Sequence, residues 1–449
     1  MKMPAEAEAR DLCQQVLKRV GSNPAEVLFF TVDSALTRFA NNSIHQNVSE
    51  RDTRLVLRYF EGKRAGLATT NRLDAAGLDE IVTKARAIAH ASTEDPDQTG
   101  LPGPAHYSPV QAYDEQTAQY TPARRAQAVG VVCQMAKEKG LNASGAFSTG
   151  VEALTVANSE GLFAYHQGTT ADFQIVVMGA DASGRAHRSG WCATDLPVEL
   201  LGKDAVYKAE RGQNPRKVEP GEYTVVIEPS VTEDLLDQLN FHGIGAQTVI
   251  EGRSWMNDRI GQKVMSSLVN IWDDGLDPKS LPLPFDFEGV PKQRVDIVRE
   301  GVIQGPVYDR YTGQKTGAAS TGHALEPELR SIGPLALNLF MGPGESSVED
   351  LIRSTRRGLY INRFWYTRLV HPRDCVITGM TRDGVFMIED GELVYPVKNL
   401  RFTQSYVQAL NDVDAIGSET SLMVGPYIRT ATRVPALKIS RFNFTGVTV

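Results

Sequence analysis

Gly379-Met380-Thr381-Arg382-Asp383-Gly384-Val385-Phe386-Met387-Ile388-Glu389-Asp390-Gly391-Glu392-Leu393 is the stretch on which the fold class turns. Two Asp-Gly pairs bracket a four-residue apolar run. Asp and Gly reach the positive-φ conformations of tight hairpin turns at low cost, so the spelling predicts antiparallel strands. The text after about residue 260 keeps this character, strand-like and turn-rich, with Val295–Ile303 as one candidate strand. Few helices interrupt it. Ser230-Val231-Thr232-Glu233 has the spacing of a capping box and opens a helix after the strand Tyr223–Ile227, and Ser346-x-x-Glu349 does the same for a helix over Ser346–Arg356.

Upstream, helical and strand periods mix. Apolar residues recur at helical spacing over residues 5–20 (Leu12, Val16, Leu17, Val20) and Leu73–Ala89, and further helices are predicted over Pro122–Lys139 and Pro197–Gly212. Val27–Val32, Thr53–Phe60, Ala65–Thr69, Ser144–Asn158 and Gly161–Gly179 read as strands, with Arg38–Gln46 a polar stretch between two of them. Residues 91–122, punctuated by Pro96, Pro102, Pro104, Pro109 and Pro122, read as a linker or long surface loop. The segment Gln213–Gly221 is the best domain boundary. The expectation is an α+β protein: an N-terminal domain over residues 1–215 with helices packed on a sheet, and a C-terminal, mostly antiparallel β domain over 220–449 with few helices.

Composition narrows the function. Of 449 residues, 41 % are hydrophobic and 22 % charged, enough to bury a core, and the balance of 47 basic against 54 acidic residues gives a net charge of −7. That lacks the basic footprint of a nucleic-acid binder. No apolar run approaches a membrane span, and the first residues lack the apolar segment of a signal peptide. Four scattered cysteines with no C-x-x-C pair fit reduced thiols in the cytoplasm. Walker, dinucleotide and G-x-S-x-G motifs are absent, and Ala318-Ala319-Ser320-Thr321-Gly322 lacks the first glycine of a nucleophile elbow and reads as a polar loop. No two of the eight histidines fall within five residues of each other, so H-E-x-x-H is missing. One window stands out: Leu235-Leu236-Asp237-Gln238-Leu239-Asn240-Phe241-His242-Gly243-Ile244-Gly245, where two glycines should end or distort a helix.

Several long tracts together resemble the TldD/PmbA (modulator of DNA gyrase) family. They are Arg357-Gly358-Leu359-Tyr360-Ile361-Asn362-Arg363-Phe364-Trp365-Tyr366, the opening Thr378–Gly391 tract, Pro396-Val397-Lys398-Asn399-Leu400-Arg401-Phe402-Thr403-Gln404-Ser405, and Arg38–Gln46 near the start. The resemblance implies a cytoplasmic metallopeptidase complex in which a TldD subunit carries zinc and a TldE (PmbA) subunit does not. Its substrates would be unstructured peptides, such as leader peptides or released antitoxins, held in an enclosed cavity by strand-like pairing. The TldD helix carries His-Glu-x-x-x-His-Gly. In an ungapped register from Gly252-Arg253-Ser254, this chain offers Asp237-Gln238-x-x-x-His242-Gly243 instead. An amide cannot take a proton from a metal-bound water, so Gln238 at the base position implies a chain without its own general base. Residues 411–434 contain no cysteine to complete a zinc site.

The expected role is therefore TldE-like, with no cofactor in this chain, zinc in a TldD-like partner (or self-association in a homodimer), and Asp237, Gln238, His242, Gly243 and His323 as candidates to line the substrate cavity. Two alternatives stay open. One is an independent metal-dependent hydrolase with Asp237 and His242 as ligands and a third from His323, His371 or Cys375. The other is a homodimeric peptide-binding protein.

Overall fold

The computed structural model describes residues 3–425 and 428–447. Its first sheet is built from β1 (Ala25–Ala40), β2 (Ser43–Glu61), β3 (Arg64–Thr70), β4 (Asn142–Asn158), β5 (Phe163–Met178) and β6 (Ser183–Gly190), in the order β3-β2-β1-β4-β5-β6 and antiparallel throughout. The period of two divides each strand between two environments. Val27, Phe29, Leu55 and Leu57 face helices α1 (Glu6–Val20) and α2 (Ala75–Ala91). Past the short α3 (Glu115–Ala118), helices α4 (Pro122–Glu138) and α5 (Val198–Arg211) cover the other end of that face against Phe147, Phe173, Ile175 and Val177. The opposite face, with Leu28, Val56, Leu154 and Val156, receives Phe285 from the second half of the chain.

That half runs β7 (Gly221–Ile227), α6 (Pro229–Leu239), α7 (Ala246–Ile250), β8 (Ile271–Asp273), β9 (Val295–Arg299), β10 (Val302–Ile303), α8 (Arg310–Thr316), β11 (Asn338–Met341), α9 (Val348–Arg353), β12 (Arg357–His371), β13 (Val376–Glu389), β14 (Glu392–Pro396), β15 (Leu400–Ser405), α10 (Tyr406–Asn411), β16 (Val413–Val424) and β17 (Ala431–Val447). Strands β7, β12, β13, β15 and β17 pair in a ring, because β17 returns to β7. Closure removes the free edges that an open sheet would leave. The apolar stripe of α6, Val231, Leu235, Leu236 and Leu239, shares its core with Phe364, Phe402, Phe442 and Phe444.

The α+β expectation holds, and the differences in detail have physical causes. The polar stretch Arg38–Gln46 is itself mostly strand: β1 and β2 run through it to a tight turn at Asn41-Asn42, both at positive φ. Its polar side chains find partners: Arg38 Nη1 donates to Gln46 Oε1 (3.3 Å), Asn42 Nδ2 donates to the Leu141 carbonyl (2.7 Å), and Asn42 Oδ1 accepts the Ala143 N–H (2.7 Å). Asp390-Gly391 does make the β13–β14 turn, whereas Asp383-Gly384 lies inside β13 at a shift in register with β12. There Asn362 Nδ2 donates to the Asp383 carbonyl (2.7 Å), replacing the ladder bond that the irregularity removes. The capping box at Ser230 does not form. The helix begins at Pro229, and the Ser230 hydroxyl bonds the Asn362 carbonyl instead. The box predicted at Ser346 sits one residue later, as Ser347 with Asp350. Val295–Ile303 is a two-strand hairpin rather than one strand, turning at Glu300-Gly301.

Candidate functional site

Helix α6 presents two sides. Val231, Thr232, Leu235, Leu236 and Leu239 are buried, while Glu233, Asp234, Asp237 and Gln238 form two rows at i, i+4 spacing on the half-buried side. The expected distortion after Leu239 is a single π-helical turn over Asn240–Ile244, and the chain becomes extended at Gly245. A wide turn leaves carbonyls without their usual partners. Trp255 Nε1 donates to the Leu239 carbonyl (2.8 Å), Ser254 Oγ to the Gly243 carbonyl (2.7 Å), and Asn240 Nδ2 to the Ala336 carbonyl (2.7 Å). The Trp255 ring lies so close that a Cβ on Gly243 would stand 2.0 Å from its Cδ1, and a Cβ on Gly245 would stand 2.1 Å from the Pro334 carbonyl oxygen. Both glycines are required by packing.

A directed chain of hydrogen bonds crosses the polar side. His242 Nε2 lies 3.2 Å from Gln238 Oε1, and an amide oxygen only accepts, so the ring nitrogen is the donor. Gln238 Nε2 donates to Thr367 Oγ1 (3.2 Å), whose hydroxyl donates to Asp234 Oδ1 (2.8 Å), and Tyr406 donates to Asp234 Oδ2 (2.7 Å). Both ends of the Gln238 amide are thereby fixed. Asp237 Oδ1 accepts from Thr432 Oγ1 (3.1 Å), and Gly425 approaches its other oxygen. Burial pushes the carboxyls of Asp234 to about 6 and Asp237 to about 7, the neighbouring Asp234 adding to the latter. Burial, then Arg253, holds the His242 imidazole below its ordinary range.

The structure brings Asp237, Gln238 and His242 together and separates the other two candidates from them. Gly243 is buried under Trp255 and faces no cavity. His323 is fully buried elsewhere: its Nε2 lies 2.9 Å from Asp273 Oδ1 and its Nδ1 2.9 Å from Thr321 Oγ1, with Lys292 Nζ 3.3 Å from the same aspartate oxygen. A side chain with no solvent-facing surface cannot line a substrate cavity. His371 is exposed beside Asp374, and Cys375 lies in the turn before β13 with its thiol enclosed in the core. Among the described residues no three His, Cys, Asp or Glu side chains converge as metal ligands do. Asp237 and His242 each engage a neutral partner instead, so the donor set does not fit a zinc ion.

A cavity of about 460 Å³ lies beside this site, between the plain face of the first sheet and the second half. Phe30, Leu154 and His166 line one wall and Leu325, Leu337 and Ile428 another. Phe241, inside the π turn, packs on the cluster of Leu325, Leu335 and Leu337, two of which line the cavity, and so joins the cavity to α6. Burial lowers His166 to about 4, which keeps it neutral, and Arg429 with Glu152 and Arg54 with Glu326 form ion pairs at the margin. None of these residues carries a spacing signal, because the lining is assembled from distant segments.

Comparison with known proteins agrees with this architecture. The PmbA/TldA metallopeptidase C-terminal domain matches residues 220–446, the central domain 71–213 and domain 1 residues 25–89. The metalloprotease PmbA of Escherichia coli O157:H7 is 24 % identical over 391 residues, covering 82 % of this chain and 81 % of that protein. A metalloprotease of Methanothermobacter thermautotrophicus is 26 % identical over 242 residues, and there the match spans about half of either protein, 53 % of this chain and 52 % of the relative. The crystal structure of TldE from Thermococcus kodakarensis superposes with a TM-score of 0.88 at 20 % identity, over 98 % of this chain and 100 % of that one, and so shares the fold. On these matches the chain belongs to the PmbA/TldD metallopeptidase family.

Proposed function

We propose that this chain is a TldE-like, non-catalytic subunit of a cytoplasmic metallopeptidase complex. It completes a cavity for unstructured peptides, while a TldD-like partner supplies zinc and the general base. The observation that carries this reading is the Gln238 amide, held between His242 and Thr367, which the ungapped register set out above pairs with the glutamate of the family's catalytic helix. An amide has no basic lone pair for a proton from water, and its fixed orientation leaves no room for a swap of roles. The poor fit of Asp237 and His242 to a zinc ion supports the same reading. So does the mainly apolar cavity beside Phe241, of a size that takes a few side chains of an extended peptide.

The test is reconstitution. The chain purified alone should hold less than about 0.1 metal ion per chain and leave an unfolded peptide intact. Added to a TldD-like protein it should form a stoichiometric complex whose hydrolysis stops with EDTA. EDTA-sensitive hydrolysis by the isolated chain would overturn the proposal in favour of a variant metal site. A tight homodimer that ignores the TldD-like protein would overturn it in favour of a peptide-binding role.

A further inference from the structure

The outer face of β12 and β13 carries aromatic rings that the core does not use. Phe364 and Phe402 belong to the core, so the alternation of a strand leaves Trp365 outside. Strict alternation would also turn Tyr366 inward. Between Trp365 and Arg368, however, β12 takes three steps against the two that β13 takes from Met380 to Thr378. This is a bulge, and Tyr366 within it has φ +55°. Both rings are exposed as a result, Trp365 by 39 % and Tyr366 by 64 %. A bulky residue in the left-handed region is strained, and such strain is kept where it aims a side chain at a task.

Arginines surround the rings. The guanidinium carbons of Arg363 and Arg382 stand 4.4 and 5.0 Å from the centre of the Trp365 ring, and that of Arg368 stands 4.3 Å from the centre of Tyr366. Arg363 and Arg382 are directly opposite in the β12–β13 register, a like-charge pair that opposes strand pairing. One buried carboxylate serves both: Asp383 lies 2.8 Å from Arg363 Nη1 and 3.8 Å from Arg382 Nε. Arg368 donates to the Thr367 carbonyl (2.8 Å), and exposed Arg401 lies across Met380 from Trp365. Among the described residues neither forms an ion pair. The other carboxyls nearby are committed, Asp374 to Arg259 (2.6 Å), Asp181 to the Asn214 N–H (3.1 Å) and Asp234 to Thr367 and Tyr406. Glu233 of α6 is shared electrostatically between Arg363 and Arg185, and burial favours its neutral form. The face is therefore cationic, on a chain whose net charge is −7.

Trp, Tyr and Arg carry most of the binding energy where proteins meet, and a guanidinium fork fits a carboxylate through two parallel hydrogen bonds. We propose that this face docks an acidic stretch of an extended peptide, its carboxylates on Arg368, Arg382 and Arg401 and its apolar side chains against Trp365 and Tyr366. Thr367, next along β12, accepts from Gln238, so the surface borders the site on α6. A nucleic acid is disfavoured by the net negative charge of the whole chain. The proposal rests on the peptide-handling role argued above and names the class of peptide.

It is tested by fluorescence anisotropy on the full-length chain alone, without a TldD-like partner. The probes are a labelled unstructured peptide rich in Asp and Glu, the same peptide with Asn and Gln in their place, and a single-stranded oligonucleotide of matched charge. The acidic peptide should bind saturably, more weakly as salt rises, and at least about tenfold more tightly than the neutral one. The double change Arg368→Gln, Arg382→Gln should weaken binding about tenfold and Trp365→Ala about fivefold. Tyr366→Gly is the sharpest variant. Glycine adopts positive φ without strain, so the melting temperature should hold or rise while binding weakens about threefold. Equal binding of the acidic and neutral peptides, or none of either, overturns the proposal. So does unchanged affinity in the arginine double variant or, if that fails to fold, in Arg401→Gln. Tighter binding of the oligonucleotide overturns it in favour of nucleic acid, and a Tyr366→Gly chain that loses stability yet binds as before makes the bulge architectural and overturns it too. Should the chain reconstitute hydrolysis with a TldD-like protein and still ignore peptide charge, only the docking surface is refuted and the subunit role stands.

Discussion

His323 and His242 sit in the same half of the chain and do opposite work. His323 is locked with Asp273, Lys292 and Thr321 in a cluster whose aspartate, lysine and histidine side chains have no solvent exposure. Asp273 Oδ2 also accepts the Asn338 backbone N–H at 2.6 Å. There every charge has a partner, and the cluster ties β8 and β11 to the segments around residues 292 and 323. His242 is half-buried, holds one neutral amide, and stands beside carboxyls raised rather than lowered by their surroundings. The contrast teaches that burial with full pairing marks architecture, whereas incomplete pairing at a half-open face marks a place kept for something else.

The largest expected effect is on the closed cluster. Lys292→Met leaves a buried carboxylate without its cation and should cost about 3–5 kcal/mol of unfolding free energy by urea titration. A loss below about 1 kcal/mol would break the contrast. Next, Gly243→Ala forces a methyl into the Trp255 ring and should cost about 1–3 kcal/mol, showing that the scaffold under the open site is rigid even though its polar face is not.

The two regions should then respond to pH with opposite sign. Burial, then Lys292, holds His323 below its ordinary value, so as pH falls through about 6.5 the unfolded chain takes the proton first and stability is lost. Asp237, raised to about 7, contributes stability at low pH that is lost as pH rises from about 4 through 7. Asp237→Asn should remove that alkaline-side loss, of order 1–2 kcal/mol after screening, without changing the loss on acidification. Equal pH profiles for parent and variant would count against the contrast. The smallest effect is that of His242→Ala, under about 1 kcal/mol, since the ring makes one neutral hydrogen bond.

Much of this was legible from residues. Strand and helix periods located most elements, and the Asp390-Gly391 turn was read correctly. The paired glycines flagged the distortion that became a π turn, although the reason for Gly243 lies in Trp255, twelve residues on. Three of the misreadings trace to a contact made at a distance. Asp383-Gly384 spells a turn until Asn362 from the neighbouring strand holds it as an irregularity inside β13. Ser230 spells a cap until the Asn362 carbonyl takes its hydroxyl. His323 stands in a loop rich in glycine, serine and threonine, which suggests a binding surface, and only the fold brings Asp273 to it.

By itself the sequence determined the α+β class and the family tracts, because these depend on residue identity and local period. Tertiary structure alone decided that the barrel closes through β17 and β7 and that His323 is architectural. Those outcomes depend on which distant groups share a low-dielectric space, and chain spacing carries no record of that.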